Sequence, residues 1–224
     1  MPNLMMADVM KSKFYTLMLV TNRQNKPIAQ YLQWINSCVN AGVTAVQLRE
    51  KDQSQSSLLA FGQALKETLD PLEVPLIIND NIELAIKLNA AGVHLGQTDG
   101  DPNHARRDLG PNKLIGVSID SEAQLETAND LPIDYVGIGA IFPTRNKFNV
   151  KTTWGLNGLK HLSQFSKHPI VGIGGINEQN AKRVILAGAD GLAVIGALHD
   201  ANDAVKTTKQ LRYIIDNQGI AHVN

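Results

Sequence analysis

The sequence predicts a single α/β domain closed as a (β/α)8 (TIM) barrel, and three observations carry that prediction. Short apolar, β-branched runs alternate eight times with longer stretches of helical period, the pattern of βα units on a parallel sheet buried on both faces. Three helical stretches end in Ala-Gly-(Val or Ala), at 41–43, 91–93 and 187–189, where glycine suits a left-handed helix C-cap before the next strand. Eight units in 224 residues fit a compact barrel, and the Gly-x-Gly-x-x-Gly turn of a dinucleotide-binding doubly wound sheet does not follow the first strand.

The first strand is expected at 15–20. Lys11 and Lys13 before it faintly echo a signal peptide, but the apolar run is short and no small-residue cleavage site follows. The remaining strands are expected at 45–48, 76–78, 92–95, 114–117, 135–138, 170–173 and 192–195. Helical segments follow, among them 58–69, 82–89, 122–128, 178–186 and 204–215. Residues 140–153 are the longest irregular stretch, too polar for a core strand, and follow strand six, where a barrel places a functional loop. Residues 1–12 are expected to be an N-terminal extension, 13–217 the barrel domain that carries the chemistry, and 218–224 a tail.

Composition narrows the classes of function. The chain is 43% hydrophobic and 19% charged, with 21 Lys+Arg against 21 Asp+Glu. Disorder is excluded, and a nucleic-acid binder with a broad basic face is disfavoured at zero net charge. An anionic ligand must therefore be met locally. No 18 consecutive apolar residues offer a membrane span. Cys38 is the single cysteine, which rules out an intrachain disulfide and fits a reducing cytoplasmic setting.

Residues at the C-terminal ends of barrel strands share one mouth. Strand two ends in Gln47-Leu48-Arg49-Glu50-Lys51, strand three in Asn79-Asp80, and strand four in His94-Leu95-Gly96-Gln97-Thr98-Asp99. Strand five ends in Ser118, strand six leads to Thr144-Arg145-Asn146-Lys147, strand seven to Gly174-Gly175, and strand eight to Ile195-Gly196. Asp80 and Asp99 follow adjacent strands and would repel each other without a cation between them. Magnesium is the expected ion, because it takes a few carboxylates plus phosphate oxygens, and the histidines lack zinc spacing. The competing reading is that Asp80 caps the helix near Ile82 and Asp99 caps a turn. Arg49, Lys51 and Lys147 suit a pyrophosphate, or are ordinary solvated charges. Gly174-Gly175 after strand seven and Ile195-Gly196 after strand eight suit a phosphate held by backbone N–H groups, a role compatible with plain tight turns. His94 is either an acid/base or stacking group or a satisfied strand-end histidine. The histidines at 104, 161, 168, 199 and 222 receive no role.

Taken in order, these segments resemble the thiamine-phosphate synthase family. The match rests on Gln47 to Lys51, Ile78-Asn79-Asp80, Gly92 to Asp99, Gly116-Val117-Ser118, Asp134 to Gly137, Phe142-Pro143-Thr144 with Lys147, and Val171 to Ile176. The resemblance implies a transferase that joins a pyrimidine diphosphate to a thiazole phosphate, releasing pyrophosphate. Gln47, Leu48, Arg49, Glu50, Lys51, Asn79, Ser118 and Lys147 would hold the pyrimidine diphosphate. Asp80 and Asp99 would bind Mg2+. Thr144, Arg145, Asn146, Gly175, Ile195 and Gly196 would hold the thiazole phosphate. Arg49, Lys51, Ser118 and Lys147 are expected to carry the reaction.

Two departures fall on the thiazole side: Asn146 stands where the family usually has Thr, and Gly196 where it usually has Ser. A related branch isomerises a thiazole tautomer without metal and lacks the Asn-Asp pair and second carboxylate, so Asn79, Asp80 and Asp99 favour the synthases. A non-catalytic sensor of thiamine phosphate is the alternative from another class. The expected partners are small molecules, with neither nucleic acid nor membrane, and homo-oligomerisation is left open.

Overall fold

The computed structural model describes residues 14–51, 53–145 and 153–217. Eight parallel strands close into a barrel in sequence order, with β8 pairing back onto β1. They are β1 Leu17–Val20, β2 Ala45–Leu48, β3 Leu76–Asn79, β4 Gly92–Leu95, β5 Leu114–Ile119, β6 Tyr135–Ile138, β7 Ile170–Ile173 and β8 Gly191–Val194. Around them lie α1 Ile28–Ala41, α2 Gln55–Leu69, α3 Ile82–Lys87, α4 Pro102–Leu109, α5 Glu122–Ala128, α6 Gly155–Ser163, α7 Ala181–Leu186, α8 Gly196–His199 and α9 Ala204–Asp216. Among the described residues no helix is long and apolar enough to cross a membrane. The 1–12 extension and the 218–224 tail lie outside the described residues.

The strands read as unbroken apolar runs because both faces are covered. One face meets the helices through residues such as Leu17, Leu19, Val46, Leu48, Val93 and Leu192. The other fills the barrel with Met18, Val20, Ala45, Ile77, Tyr135 and Val171. Helix starts sit at the C-terminal face of the sheet, and five are capped by side chains: Ser54, Asn81, Asp101, Ser121 and Asp203 accept from backbone N–H groups in the following turn. The opposite face is tied together by a repeated clamp. Thr44, Asp134 and Asp190 each accept an N–H from the start of the preceding strand, from Leu17 at 2.9 Å, Ile115 at 2.8 Å and Ile170 at 2.7 Å.

Several boundaries differ from the sequence expectation. β1 begins at Leu17, two residues late, because Phe14 and Tyr15 form an edge-to-face pair and Phe14 packs on Tyr135. β8 stops at Val194, leaving Ile195 as the N-cap of α8. α7 begins at Ala181 instead of 178, since Asn177 and Asn180 hydrogen-bond each other's segment in a turn.

The second of the three phrases, Ala91-Gly92-Val93, is not a C-cap. Gly42 and Gly188 take positive φ (128° and 104°) three residues before their strands begin, but at the equivalent point Asn89 supplies φ 45°. Gly92 is the first residue of β4, and a Cβ there would collide with the carbonyl of Leu114. Its glycine serves close strand approach and not a turn.

Candidate active site

A cavity of about 610 Å³ opens at the C-terminal ends of the strands. Its floor is a polar layer within the barrel. Tyr135 Oη lies 3.0 Å from His94 Nδ1, and His94 Nε2 lies 2.9 Å from Ser118 Oγ. Gln47 reaches the same hydroxyl of Tyr135, whose pKa is raised chiefly by burial. Glycines make this layer possible. A Cβ at Gly116 would collide with the Tyr135 ring, and one at Gly137 would lie 2.9 Å from His94 Cε1. His94 is thus a partnered histidine inside the site, packed against Tyr135 at a ring separation of 5.4 Å.

One side of the mouth is built by β2, β3 and β4. Strand alternation sends Gln47 and Arg49 to the cavity and Leu48 to the helix layer, where it is buried. The Arg49 N–H donates to Thr21 Oγ1 at 2.9 Å, fixing the turn after β2. Glu50 turns away as well, and its carboxylate accepts the Arg23 N–H at 3.0 and 3.1 Å. Leu48 and Glu50 therefore bring no side chain to the cavity, although the sequence reading placed both at the ligand. Lys51 stays at the rim.

Asp80 lines the cavity in a left-handed conformation at φ 65°, with its N–H donating to the His94 carbonyl at 2.8 Å. The helix cap expected of it belongs to Asn81, which accepts the Leu84 N–H at 2.8 Å. Asp80 is left for another purpose. Asp99 does cap its turn, accepting the Gly96 N–H at 2.9 Å, and also hydrogen-bonds the Asp80 carboxyl. Removal from water, then the neighbouring Asp99, push the Asp80 pKa up to about 6, against the pull of Arg49 and Asn79. Burial in turn lowers the Arg49 pKa, offset by Asp80 and Glu50.

The opposite side of the barrel carries β7 and β8. Gly174 and Gly175 have φ 96° and 66°, and the turn packs on the segment after β6, where Ile141 and Phe142 donate to the carbonyls of Ile173 and Gly174 at 3.0 Å. Asn180 Nδ2 fixes the Gly175 carbonyl at 2.9 Å. Ile195 and Gly196 open α8 beside them, and Thr144 and Arg145 close the rim. Asn146 and Lys147 lie outside the described residues.

The structure thus brings Gln47, Arg49, Lys51, Asn79, Asp80, Asp99, Ser118, Thr144, Arg145, Gly175, Ile195 and Gly196 to one cavity. Sequence reasoning missed Tyr135 and Asp120, which also line it. Tyr135 had a signal: it shares a strand face with Gly137, in register with Gly116.

The oxygen donors suit a hard cation. Two facing carboxylates need a proton or a metal between them, and the raised Asp80 pKa reports that need. Among the described residues no group of three or more His, Cys, Asp and Glu side chains could enclose a metal. A two-carboxylate site would leave the remaining coordination to water and substrate oxygens, as Mg2+ commonly accepts.

Comparison with known proteins decides the family. The family model described as Thiamine monophosphate synthase matches residues 17–198. The chain belongs to the thiamine monophosphate synthase family. The thiamine-phosphate synthase of Chlamydia caviae is 51% identical over 207 residues, covering 92% of this chain and 98% of that one. That of Vibrio campbellii is 43% identical over 197 residues, covering 88% and 96%. The solved thiamine phosphate pyrophosphorylase of Pyrococcus furiosus superposes with a TM-score of 0.82 at 32% identity, covering 92% of this chain and 97% of its own. Membership in the thiamine monophosphate synthase family makes this chain a transferase of thiamine biosynthesis.

Proposed function

We propose that this protein condenses 4-amino-5-hydroxymethyl-2-methylpyrimidine diphosphate with 4-methyl-5-(2-hydroxyethyl)thiazole phosphate, giving thiamine phosphate and pyrophosphate, with Mg2+ held by Asp80 and Asp99. The observation that carries this reading is the division of the mouth. Arg49, Lys51 and the paired carboxylates stand at the ends of β2, β3 and β4, across the barrel from the glycine turns of β7 and β8. One side suits a diphosphate with a cation, the other a second anion.

The bond to break joins the pyrimidine methylene to the diphosphate oxygen, and its electron pair leaves with pyrophosphate. The aminopyrimidine ring stabilises the cation left behind. The thiazole nitrogen then supplies its lone pair to form the new C–N bond, so no proton must move. When bound, Mg2+ would neutralise charge on the departing pyrophosphate. Arg49 offers two parallel N–H donors to the same oxygens and Lys51 a mobile point charge, both gaining strength as the negative charge grows. Gln47, Asn79 and Ser118 supply hydrogen bonds that orient the pyrimidine end. Backbone N–H groups of Gly175 and Gly196, with Thr144 and Arg145 at the rim, hold the thiazole phosphate as a handle that keeps the nucleophile close. Lys147 and Asn146 join the two sets by resemblance. A cytoplasmic setting belongs to the same reading, with Cys38 buried as a thiol whose pKa burial pushes up to about 11.

Arg49→Lys is expected to raise the KM for the pyrimidine diphosphate and lower turnover about 10²-fold, because an ammonium cannot replace the planar fork. Steady-state kinetics check it, and wild-type constants would place Arg49 outside the site. The reaction itself is tested by 31P NMR of the protein with both substrates and Mg2+. The diphosphate signals should convert to pyrophosphate and thiamine phosphate. Line broadening without conversion would make the protein a sensor that binds and does not transfer.

A further inference from the structure

The short helix α8 opens the phosphate side of the mouth, and a chain of hydrogen bonds behind it ends on His199, which the sequence reading left without a role. His199 Nδ1 lies 2.8 Å from the Ile195 carbonyl oxygen. A carbonyl only accepts, so Nδ1 carries the proton. In the neutral ring Nε2 is then an acceptor, and the Tyr31 hydroxyl at 2.7 Å must donate to it. That hydroxyl in turn accepts the Asn22 N–H at 2.9 Å. Every member of the chain has one direction available: Asn22 N–H to Tyr31 Oη, Tyr31 O–H to His199 Nε2, and His199 Nδ1–H to Ile195 O.

The relay is held in place by packing. Tyr31 is 1% exposed. Trp34 stacks on it at 5.3 Å and lies 4.7 Å from the His199 ring. Burial lowers the His199 pKa, which favours the neutral ring that the relay requires. Its two ends matter more than its middle. Asn22 belongs to the loop after β1, whose next residue, Arg23, is tied to Glu50 beside Arg49. Ile195 and Gly196 form the turn after β8, and both line the cavity. Gly196 has no side chain to fix this turn, and Ile195, at φ −118° and ψ −80°, is the residue whose conformation aims the first N–H groups of α8.

We propose that His199 is a positioning residue for the thiazole phosphate. In its Nδ1–H form it grips the Ile195 carbonyl and, braced by Tyr31, holds the β8 turn so that its N–H groups point into the mouth. This rests on the reading above that the β8 turn holds that phosphate.

The test uses the full chain and three variants in the condensation assay, with each substrate varied in turn. His199→Leu keeps bulk against Trp34 but removes both hydrogen bonds. It should raise the thiazole-phosphate KM about tenfold, leaving the pyrimidine-diphosphate KM and kcat within about twofold. His199→Asn places an amide N–H near the old Nδ1 and should recover the thiazole-phosphate KM to within about threefold of wild type. Tyr31→Phe, which removes only the brace, should fall between them. An unchanged KM in His199→Leu, an equal rise for both substrates, or His199→Asn as impaired as His199→Leu would each overturn the proposal. Long-range 1H–15N spectra of the wild-type histidines separate the relay from the ligand assignment. A neutral Nδ1–H ring at His199 supports the relay, and an Nε2–H ring overturns it. If the ring is Nδ1–H and His199→Leu shifts only the pyrimidine-diphosphate KM, the relay stands and the assignment of the thiazole phosphate to the β8 turn fails.

Discussion

Asp80→Asn should lower turnover by about 10²–10³ while making the metal-free protein more stable at neutral pH. The amide keeps the volume, and asparagine accepts the φ of 65° at this position at least as well as aspartate. What is lost is the charge that would hold the cation beside the leaving group. The stability change has the opposite sign because the carboxyl is costly where it stands. Its pKa is raised from 3.8 to about 6, first by desolvation and then by Asp99. Between those values the folded protein holds a proton that the unfolded chain has released, so stability falls as pH rises through that window and the cost is complete at pH 7. The full shift corresponds to about 3 kcal/mol, but Asp80 reaches solvent, and about 1 kcal/mol is expected to survive screening. In EDTA at pH 7 the variant should melt about 2–4 °C higher than wild type, with the difference vanishing near pH 4. Asp99→Asn should lose turnover similarly. A near wild-type rate at limiting Mg2+, or a lower melting temperature, would contradict the role assigned to Asp80.

Gly175→Ala should damage the other side of the mouth. Its φ of 66° disfavours any side chain, and a Cβ would sit 2.7 Å from the Pro143 carbonyl oxygen and 2.7 Å from Phe142 Cβ. The left-handed conformation costs about 1–2 kcal/mol for alanine, and overpacking adds about 1–3 kcal/mol. Relief can come only from moving the turn or the segment after β6, and both line the proposed phosphate pocket. The variant should therefore lose about 2–4 kcal/mol in a denaturant melt, and its thiazole-phosphate KM should rise more than tenfold. The pyrimidine-diphosphate KM should change far less. Equal changes in both would mean that the mouth is not divided as described.

The barrel was legible because its strands are buried on both faces, which writes runs such as Ala45–Leu48 and Ile170–Ile173 directly into the chain. Where glycine serves a neighbour, the sequence is silent. Gly92, Gly116 and Gly137 look like turn or flexibility signals, but each makes room for atoms of another strand: Leu114, Tyr135 and His94. The same blindness hid the polar layer of Gln47, Tyr135, His94 and Ser118, since no local pattern says that side chains from four strands meet. Asp80 and Asp99 were found as strand-end carboxylates, yet only the cap at Asn81 shows that Asp80 is not engaged in holding its helix. Leu48 and Glu50 were drawn in with their motif. Strand alternation alone would have removed Leu48, whereas the Glu50 contact with Arg23 required the fold. His199 was passed over because its partner Tyr31 lies 168 residues away.

The most direct test of the account is the rate of thiamine phosphate formation against free Mg2+, measured from EDTA-treated protein with both substrates saturating. The account predicts negligible product in EDTA, a saturable rise with Mg2+, and one pyrophosphate released for each thiamine phosphate formed. Full turnover in EDTA, or substrate binding without pyrophosphate release at any Mg2+ concentration, would contradict it.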